Sequence, residues 1–304
     1  MSCRSLIFGI SGQDGFYLRK HLESLGHDVH GTSRNSELKD DKVYTLFPQN
    51  KLDVERVIKR LNPAHIYILC GPSSVGRSFD YPADTYGDII NATINILEAA
   101  FRLNPHCRAF NASSTECFGN NNCKIDEETK FAPVSPYGEA KVAAARIVTH
   151  YRENLGFFAA NGFMSNHESP RRRNCFVFKK IIAATQKIAA GRSKRLVLGN
   201  LSVVRDWGWA EEFVEAMPLI LNSVRPQDYI IASGNSYSLE KVVELAFFYH
   251  GLDWKEYVEI NDAFLRPNDV KCVKCSVDKI KKNLGWVPTY FLHDMIRQMN
   301  LAMS

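Results

Sequence analysis

Gly9-Ile10-Ser11-Gly12-Gln13-Asp14-Gly15 is the stretch that decides the fold of this 304-residue chain. A short apolar run at residues 5–8 comes before it, and a helical pattern of leucines follows it and ends at Gly26. Residues 28–32 then have the apolar character of a second strand. A strand, a glycine turn, a helix and a second strand within about thirty residues are typical of a dinucleotide-binding unit. Its glycines let the backbone approach a diphosphate at the N-terminus of the helix, so we expect a dinucleotide cofactor.

The end of the second strand indicates which cofactor is bound. An NAD-binding unit usually carries an acidic residue there for the ribose, whereas this chain has Thr32-Ser33-Arg34. An arginine beside a hydroxyl suits a 2′-phosphate, so the sequence predicts NADP rather than NAD. The alternative is an exposed arginine in a polar loop.

The rest of the chain alternates between apolar strand-like runs and amphipathic helical patterns. This alternation predicts an α/β fold: a Rossmann-type doubly wound parallel sheet with a smaller C-terminal α/β substrate-binding lobe. The predicted NADP-binding domain covers residues 1–160, with a return segment near 206–232. The substrate-binding lobe then comprises residues 161–205 and 233–304.

Composition and charge exclude several classes of protein. The 45% of hydrophobic and 23% of charged residues are ordinary for a globular domain, and no apolar run reaches the roughly 18–20 residues of a membrane span. A net charge of +5 is too small to indicate nucleic-acid binding by itself. We therefore expect a small anionic ligand such as a nucleotide, and neither a membrane nor a nucleic acid as partner.

The eight cysteines are scattered through the chain, which is typical of reduced thiols in the cytoplasm. The first residues lack a signal-peptide pattern. Cys272 and Cys275 form the only close pair in the sequence, and no second pair accompanies them. Because a structural zinc site needs about four ligands, we expect a cytoplasmic protein without a metal site.

Tyr137 and Lys141 are the first candidate catalytic pair. Ser135 and Pro136 before them predict a helix start, with a hydroxyl cap and a proline at the first helical position. Residues four apart share a helix face, so the lysine and the helix dipole are expected to lower the pKa of the phenol. Such a phenol can take a proton from an alcohol. The alternative is an ordinary pair on a solvated helix face.

A second candidate group follows the strand-like run at residues 108–112. Ser113-Ser114-Thr115-Glu116 stands at its carboxyl end, where open parallel sheets bind their ligands. A carboxylate beside the phenol is the base that a β-elimination needs. As the alternative, Glu116 is a surface carboxylate at a strand end.

Several motifs together resemble one family of the extended short-chain dehydrogenases/reductases, the GDP-mannose 4,6-dehydratases. These motifs are the G-x-x-G-x-x-G turn, Ser-Ser-Thr-Glu at 113–116, Ser-Pro-Tyr-Gly-x-Ala-Lys at 135–141, Asn-His-Glu-Ser-Pro-Arg-Arg at 166–172, Arg-Asp-Trp-Gly at 205–208 and Arg-Pro at 266–267. The run at 166–172, which we expect to be a loop, is the most specific of them. The resemblance covers nearly the whole chain.

This resemblance implies an internal redox cycle on a GDP-hexose, and hence a lyase. NADP+ oxidises C4 while Tyr137 removes the hydroxyl proton, Lys141 holds the cofactor ribose, and Ser114 hydrogen-bonds the C4 oxygen. Glu116 takes the acidified C5 proton and helps expel the C6 hydroxyl as water. The reduced cofactor then reduces C6, which leaves a 4-keto-6-deoxy sugar.

The glycine turn and the resemblance together imply two sets of binding residues. Those for the cofactor are Gly9, Ser11, Gly12, Gln13, Asp14, Gly15, Arg34, Leu69, Gly71, Ser73, Tyr137, Lys141, His167 and Arg172. Those for the sugar or its diphosphate are Asn166, Lys180, Arg205 and Arg266.

The chain also departs from this family. The loop after Arg34 is roughly twenty residues shorter than its counterpart in the family, which uses it to support a tetramer. We therefore expect a homodimer, formed through a long helix at 84–101 and the helix at 137–155. The acidic residue near the adenine is expected to be missing, because ungapped alignment puts Phe47 there and only a gap brings in Asp53. Pro72 and Ser74 replace the family's glutamine and histidine.

Two other functions stay open at this point. The first is an NADPH-dependent reductase or epimerase of a GDP-4-keto-6-deoxy sugar, because such enzymes also carry a glutamate at the position of Glu116. The second is a catalytically idle regulatory module that binds dinucleotide. The sequence does not identify the GDP-sugar. Because part of the predicted cofactor-binding site is altered, a specialised relative that acts on a different GDP-sugar, such as a heptose, also stays open.

Overall fold

The computed structural model describes residues 3–120, 124–264 and 268–303. Its strands are β1 (Arg4–Phe8), β2 (Asp28–Ser33), β3 (Val43–Thr45), β4 (His65–Ile68), β5 (Arg108–Ser114), β6 (Ala159–Met164), β7 (Asn166–Glu168), β8 (Leu196–Leu198), β9 (Val204–Trp209), β10 (Tyr229–Ile231), β11 (Ser236–Ser238) and β12 (Val258–Ile260). Its α-helices are α1 (Gln13–Ser24), α2 (Lys51–Leu61), α3 (Val75–Asp80), α4 (Pro82–Tyr86), α5 (Ala92–Leu103), α6 (Pro136–Leu155), α7 (Val177–Ala189), α8 (Ala210–Leu221), α9 (Leu239–Phe248), α10 (Asp278–Leu284) and α11 (Leu292–Met303).

The large sheet has seven strands in the order β10-β6-β5-β4-β1-β2-β3, and all of its pairs are parallel. Helices cover both faces of the sheet. Since successive residues of β1 point to opposite faces, they contribute to two different cores. Ile7 belongs to one core with Leu18 of α1 and Phe213 of α8, whereas Leu6 belongs to another with Val54 of α2 and Ile96 of α5. The predicted doubly wound Rossmann-type α/β fold is confirmed.

The strand order reverses between β4 and β1, which is where such sheets bind ligands. The glycine turn follows β1, and Gly71 follows β4 at the same edge. Ser114 is the last residue of β5, the next strand along, and a 3₁₀ turn at Thr115–Phe118 follows it. The sheet therefore brings the predicted cofactor-binding and catalytic segments to one carboxyl edge.

Beside the large sheet lie a three-stranded sheet, β11-β9-β7, and the pair β12-β8. Helices α7, α9 and α11 pack around a separate core there, which includes Phe178, Val242 and Met295. Predicting a loop at 166–172 was wrong for its first residues, since β7 pairs with β9 through Asn166 and Trp207. Their partners lie about forty residues further along the chain, so the local pattern contained no sign of this pairing.

The predicted long helix at 84–101 is interrupted. α4 ends at Tyr86, a π-helical turn covers Gly87–Asn91, and α5 continues to Leu103. A π turn inserts an extra residue into the helical repeat, and such turns are frequent at functional sites. Asp88, on this turn, faces the pocket described below.

No helix in the described part of the chain is both long and apolar enough to cross a membrane.

Candidate active site

The glycine turn is packed tightly against the end of β4. Gly9 has φ of +95°, and a Cβ atom there would lie 3.0 Å from the backbone of Leu69 and Cys70. A Cβ atom on Gly15 would lie 2.3 Å from the Gly9 carbonyl oxygen. Gly12 gives α1 no side-chain cap, so the first backbone N–H groups of the helix are available to a diphosphate. These features fit the dinucleotide that the sequence predicts.

Asp14 and His167 join the glycine turn to β7. His167 Nε2 lies 3.0 Å from Asp14 Oδ1, and its Nδ1 lies 2.7 Å from the Ser165 carbonyl oxygen. An imidazole that donates to both acceptors is protonated. Burial alone would raise the pKa of Asp14, but the charge and hydrogen bond of His167 lower it to about 2. Burial opposes the charged form of His167 as well, and the Asp14 carboxylate outweighs it and raises the pKa of the imidazole.

Gln13 fastens the same loop without lining the cleft. Its Nε2 donates to the His167 carbonyl oxygen at 3.2 Å, and its Oε1 accepts from Ser169 Oγ at 2.8 Å. These hydrogen bonds tie the glycine turn to β7 and the segment after it, and a direct contact of Gln13 with the cofactor stays a prediction.

The catalytic pair lies where the helix-start prediction expected it. Ser135 Oγ accepts from Gly138 N at 3.1 Å, with Pro136 as the first residue of α6. Tyr137 is 8% exposed, and the Ser114 side chain is hydrogen-bonded to its phenol. Ser114 Oγ accepts from the N–H of Glu116 at 3.2 Å, so its hydroxyl hydrogen can be donated either to the Tyr137 oxygen or to an acceptor in the cleft.

The expected pKa of Tyr137 was wrong in direction. Burial raises the pKa of the phenol, and the hydrogen bond with Ser114 opposes only part of this effect. Lys141 Nζ lies 5.7 Å from the centre of the tyrosine ring and donates to the Ala112 carbonyl oxygen at 2.7 Å. The sequence pattern placed the ammonium correctly on the helix face, but it gave no measure of the burial around the phenol.

Glu116 is half-buried and lines the same cleft as Tyr137 and Ser114. Its backbone packs against the first turn of α6, where a Cβ atom on Gly138 would lie 2.9 Å from the Glu116 carbonyl oxygen. The glycine of the Tyr-Gly-x-Ala-Lys motif thus allows the acidic strand end and the tyrosine helix to approach each other closely.

Arg172 forms an ion pair with the buried Glu168, a residue for which the sequence predicted no role. Arg172 Nε is 3.4 Å from Glu168 Oε2, and the guanidinium lies over the Phe176 ring at 3.7 Å. Burial raises the pKa of Glu168, and the neighbouring Arg172 charge opposes that shift. The i, i+4 spacing within the most specific motif was the signal that could have revealed this pair.

The predicted sugar-side residues line the opposite wall of the cleft. Arg205 is 5% exposed and donates from Nη2 to Asp269 Oδ1 at 2.7 Å. Lys180 Nζ donates to the Val197 carbonyl oxygen at 2.7 Å and lies 4.6 Å from the Phe264 ring centre. Asn166 also lines the cleft, whereas Arg266 lies outside the described residues.

Asp206, next to Arg205 in β9, had no predicted role and is hydrogen-bonded inside the protein. It is fully buried, and its Oδ1 accepts from Ser165 Oγ at 3.0 Å and from Ser233 N at 2.8 Å. Burial raises the pKa of Asp206 to about 6. Its place beside Arg205 in the Arg-Asp-Trp motif was the available signal.

A second pocket, of about 300 Å³, adjoins the glycine turn and lies where an adenosine would be held. Arg34 lies on its rim, with Nη1 3.5 Å from Asp88 Oδ2, and Gln49 Nε2 donates to Asp88 Oδ1 at 2.7 Å. Neither Phe47 nor Asp53 lines this pocket. The pocket has a carboxylate from a different element, because Asp88 enters it from the π turn.

Most of the predicted site residues meet in these two connected spaces. The cleft, of about 700 Å³, is lined by Asp14, Leu69, Gly71, Ser73, Ser114, Glu116, Tyr137, Lys141, Asn166, His167, Arg172, Lys180 and Arg205. The smaller pocket is lined by Gly9, Ser11, Gly12, Arg34, Leu69 and Gly71. Gln13 and Gly15 line neither space.

Comparison with known proteins identifies relatives over nearly the whole length. A sequence model described as GDP-mannose 4,6 dehydratase matches residues 6–299. GDP-mannose 4,6 dehydratase 2 of Arabidopsis thaliana is 36% identical over 317 residues, which cover 97% of this chain and 85% of that protein. GDP-mannose 4,6 dehydratase of Homo sapiens is 33% identical over 336 residues, which cover 97% of this chain and 90% of that protein.

Solved structures share the fold at lower identity. RMD from Pseudomonas aeruginosa, in a structure complexed with NADPH, has a TM-score of 0.87 and 20% identity, with coverage of 99% of this chain and 98% of that chain. At this identity the likeness concerns the fold alone.

Proposed function

The chain belongs to the GDP-mannose 4,6-dehydratase family, and from this premise we propose which of its residues carry out the reaction. It is a lyase that removes water from GDP-mannose, or from a related GDP-sugar, and leaves a 4-keto-6-deoxy sugar. NADP is its cofactor, and when bound it oxidises C4 and later returns the same reducing equivalents at C6. The observation that carries the residue roles is the meeting of Tyr137, Ser114 and Glu116 in one cleft.

We assign the cofactor to the two connected spaces. The uncapped N-terminus of α1 receives the diphosphate, and Arg34 at the rim of the smaller pocket suits the 2′-phosphate. Lys141, held by the Ala112 carbonyl oxygen in the same cleft, would hold a hydroxyl of the cofactor ribose. His167 and Arg172 brace the cofactor side of the cleft, since His167 is paired with the half-buried Asp14 and Arg172 with the buried Glu168.

Tyr137 takes the proton of the C4 hydroxyl, and Ser114 donates to the developing carbonyl oxygen. The serine is suited to this because its Oγ already accepts from Glu116 N and keeps its own hydrogen to donate. The raised pKa of Tyr137 makes its ionised form costly even with Lys141 nearby, so the positive charge that an oxidised cofactor would bring is needed to support proton transfer. Because C4 remains a ketone in the product, this proton does not return to the C4 oxygen. Reduction at C6 requires one proton at C5, and transfer of the phenol's proton to C5, directly or through Glu116, balances the reaction and restores both groups.

Glu116 provides the second proton path. A ketone at C4 acidifies the C5 proton, and a carboxylate in the same cleft can accept it and then donate to the departing C6 hydroxyl. A simple alcohol oxidation has no need for this second base. The presence of both groups at one strand end therefore favours elimination over simple oxidation or reduction.

The GDP-sugar is proposed to bind against the lobe formed by residues 161–205 and 233–304, facing a cofactor domain of residues 1–160 with a return segment near 206–232. Asn166, Lys180 and Arg205 line that side of the cleft. Two cations within one wall suit the two phosphates of a nucleoside diphosphate. Arg266 is proposed as a further contact.

The direct test is turnover of GDP-mannose with catalytic NADP+ and no added NADPH. We expect a 4-keto product, and mass spectrometry should find it lighter than the substrate by the mass of one water molecule. Stoichiometric NADPH consumption on a 4-keto substrate, without dehydration of GDP-mannose, would indicate the reductase instead. Retained cofactor binding without turnover of any nucleotide sugar would indicate the regulatory module.

We also propose a homodimer, formed through the helical segment at 84–101 and helix α6. These elements pack on each other and leave two large side chains, Tyr86 and Ile94, more than a third exposed. Exposed apolar surface of this kind is typical of a protein–protein contact. Sedimentation should give the mass of two chains for the protein and of one chain for Ile94→Asp. A tetramer, or an Ile94→Asp dimer, would contradict this assignment. The free thiols of the described cysteines favour a cytoplasmic setting.

A further inference from the structure

Three metal-ligating side chains meet at the amino edge of the large sheet, opposite the catalytic edge. Cys3 immediately precedes β1, His27 immediately precedes β2, and His65 is the first residue of β4. One ligand atom from each of them lies within 4.8 Å of the other two. Cys3 Sγ is 3.8 Å from His65 Nδ1, and the two imidazole rings are 5.8 Å apart between centroids.

The parallel register explains this meeting. β1 lies between β2 and β4, so the residues that begin these three strands are neighbours in space. Asp28 N donates to the Cys3 carbonyl oxygen at 3.0 Å, which sets His27 beside Cys3. Ser5 pairs with His65, and residues two apart on a strand share a face. The three ligands therefore project from adjacent strands toward one point.

The surroundings resemble those of a prepared metal site. His65 is only 6% exposed, whereas Cys3 and His27 are half-buried and leave a path for an ion. Ser5 Oγ lies 2.9 Å from His27 Nδ1, so a hydroxyl that accepts there fixes the ring and leaves Nε2 as the ligand atom. The rings of Tyr67 and His65 form a T-shaped pair with centroids 6.3 Å apart, and the buried Tyr67 hydroxyl has no hydrogen-bond partner among the described residues.

We infer that Cys3, His27 and His65 bind a Zn²⁺ ion, with a water molecule as the fourth ligand. One thiolate and two imidazoles are ligands that zinc prefers, and atoms 4.8 Å apart or less need only a small closure to reach tetrahedral distances. On binding, the Cys3 thiol gives up its proton to solvent and its sulfur forms the bond to the ion. The site ties three strand starts together and lies apart from the cleft. It differs from the closed four-ligand zinc site that the cysteine pattern was tested for, because its fourth position stays open to water.

The test uses the full chain without a histidine tag, freed of metal with a chelator and then titrated with Co²⁺ and with Zn²⁺. We expect one equivalent of Co²⁺ to produce a thiolate-to-cobalt charge-transfer absorption that Zn²⁺ abolishes. Cys3→Ser should remove this absorption, and His65→Ala should weaken Zn²⁺ binding by more than about 100-fold, beyond the loss typical of an outer-shell residue. Zn²⁺ should also raise the Tm of the wild type but not that of Cys3→Ser.

The matched controls are His106→Gln and Cys175→Ser, which remove an exposed imidazole and an exposed thiol elsewhere. Both should bind Zn²⁺ as the wild type does. Absence of the charge-transfer absorption in the wild type would overturn the inference without reference to any variant. Equal Zn²⁺ affinity in a folded Cys3→Ser would overturn it as well, because adventitious surface sites would then account for the binding.

Discussion

The two ends of the ligand-binding space are built in different ways. At the catalytic end Tyr137 and Lys141 are each only 8% exposed, and both side chains are hydrogen-bonded to groups of β5. At the adenosine end the Arg34 side chain is 57% exposed and meets Asp88 from a distant helix. The carboxylate at the catalytic end, Glu116, lies in the turn that directly follows β5, whereas the one at the adenosine end, Asp88, comes from the π-helical turn.

Burial decides how much each end can contribute. Charges and hydrogen bonds in a buried site act in a low effective dielectric, whereas an exposed ion pair is worth about 0–1 kcal/mol. We therefore expect substitutions at the catalytic end to cause large losses and substitutions at the adenosine end to cause small shifts in cofactor preference.

The sharpest test of the catalytic end is Glu116→Gln. Elimination should fall about a thousandfold, since a positioned acid–base group contributes about 10²–10⁴. The variant should still bind NADP+ and still oxidise C4, seen as reduced-cofactor absorbance when substrate is added. The matched control is Glu139→Gln, which removes an exposed carboxylate in the first turn of α6. Unchanged dehydration in Glu116→Gln would remove the role assigned to this carboxylate.

Tyr137→Phe separates the two proton paths. Loss of the phenol should reduce both C4 oxidation and overall dehydration by about a hundredfold or more, with cofactor affinity retained. Stopped-flow absorbance of the reduced cofactor measures the first step, and mass spectrometry of the sugar measures the whole. Tyr81→Phe removes an exposed phenol hydroxyl and should leave both rates unchanged. A variant that oxidises C4 normally would contradict the assignment.

Asp14→Asn tests the joint between the two ends. The Asp14 carboxylate stabilises the fold above pH 4, and with a pKa of about 2 it loses that contribution, about 2 kcal/mol, as pH falls from 4 to 2. The raised pKa of His167 stabilises the fold below its ordinary value near 6.5 and is lost as pH rises through the folded-state value. Urea unfolding should therefore show the largest loss in Asp14→Asn between about pH 4 and 6.5. A loss that is independent of pH would contradict the ion pair.

Asp88→Asn probes the adenosine end, where we expect the smallest effect. Removal of this charge frees Arg34 from its 3.5 Å contact and ends the repulsion of a 2′-phosphate. The Kd for NADP+ should fall about tenfold at most while that for NAD+ stays constant, as measured by calorimetry. Asp84→Asn, on the exposed side of α4, is the control. Equal shifts for both cofactors would show that Asp88 does not sense the phosphate.

Elements with local signals were predictable from the sequence. Ser135 and Pro136 define the start of α6 through capping chemistry that involves only four residues, and the structure has that cap. The glycine turn likewise depends on neighbours within one strand–helix unit. Because these contacts are short in sequence, the glycine turn and the helix start could be predicted from local patterns. The meeting of Tyr137 with Ser114 is not local and was predicted from the family motifs alone.

Features that depend on distant contacts were not predictable. Gln49 and Asp88 meet across 39 residues, and no spacing rule connects them. The raised pKa of Tyr137 comes from burial by several elements, which the Tyr-x-x-x-Lys pattern cannot measure. The strand character of Asn166 depends on a partner in β9. In each case the missing information was which segments lie side by side.

The last strand of the large sheet has a consequence for how the protein is made. Tyr229 and Ile231 of β10 pair with Gly162 and Met164 of β6, so that edge of β6 stays uncovered until the intervening chain has left the ribosome. At about 5–20 residues per second the interval lasts several seconds. An uncovered apolar strand edge can pair with another nascent chain during this time. Expression yield should therefore depend on how quickly translation passes from residue 164 to residue 231.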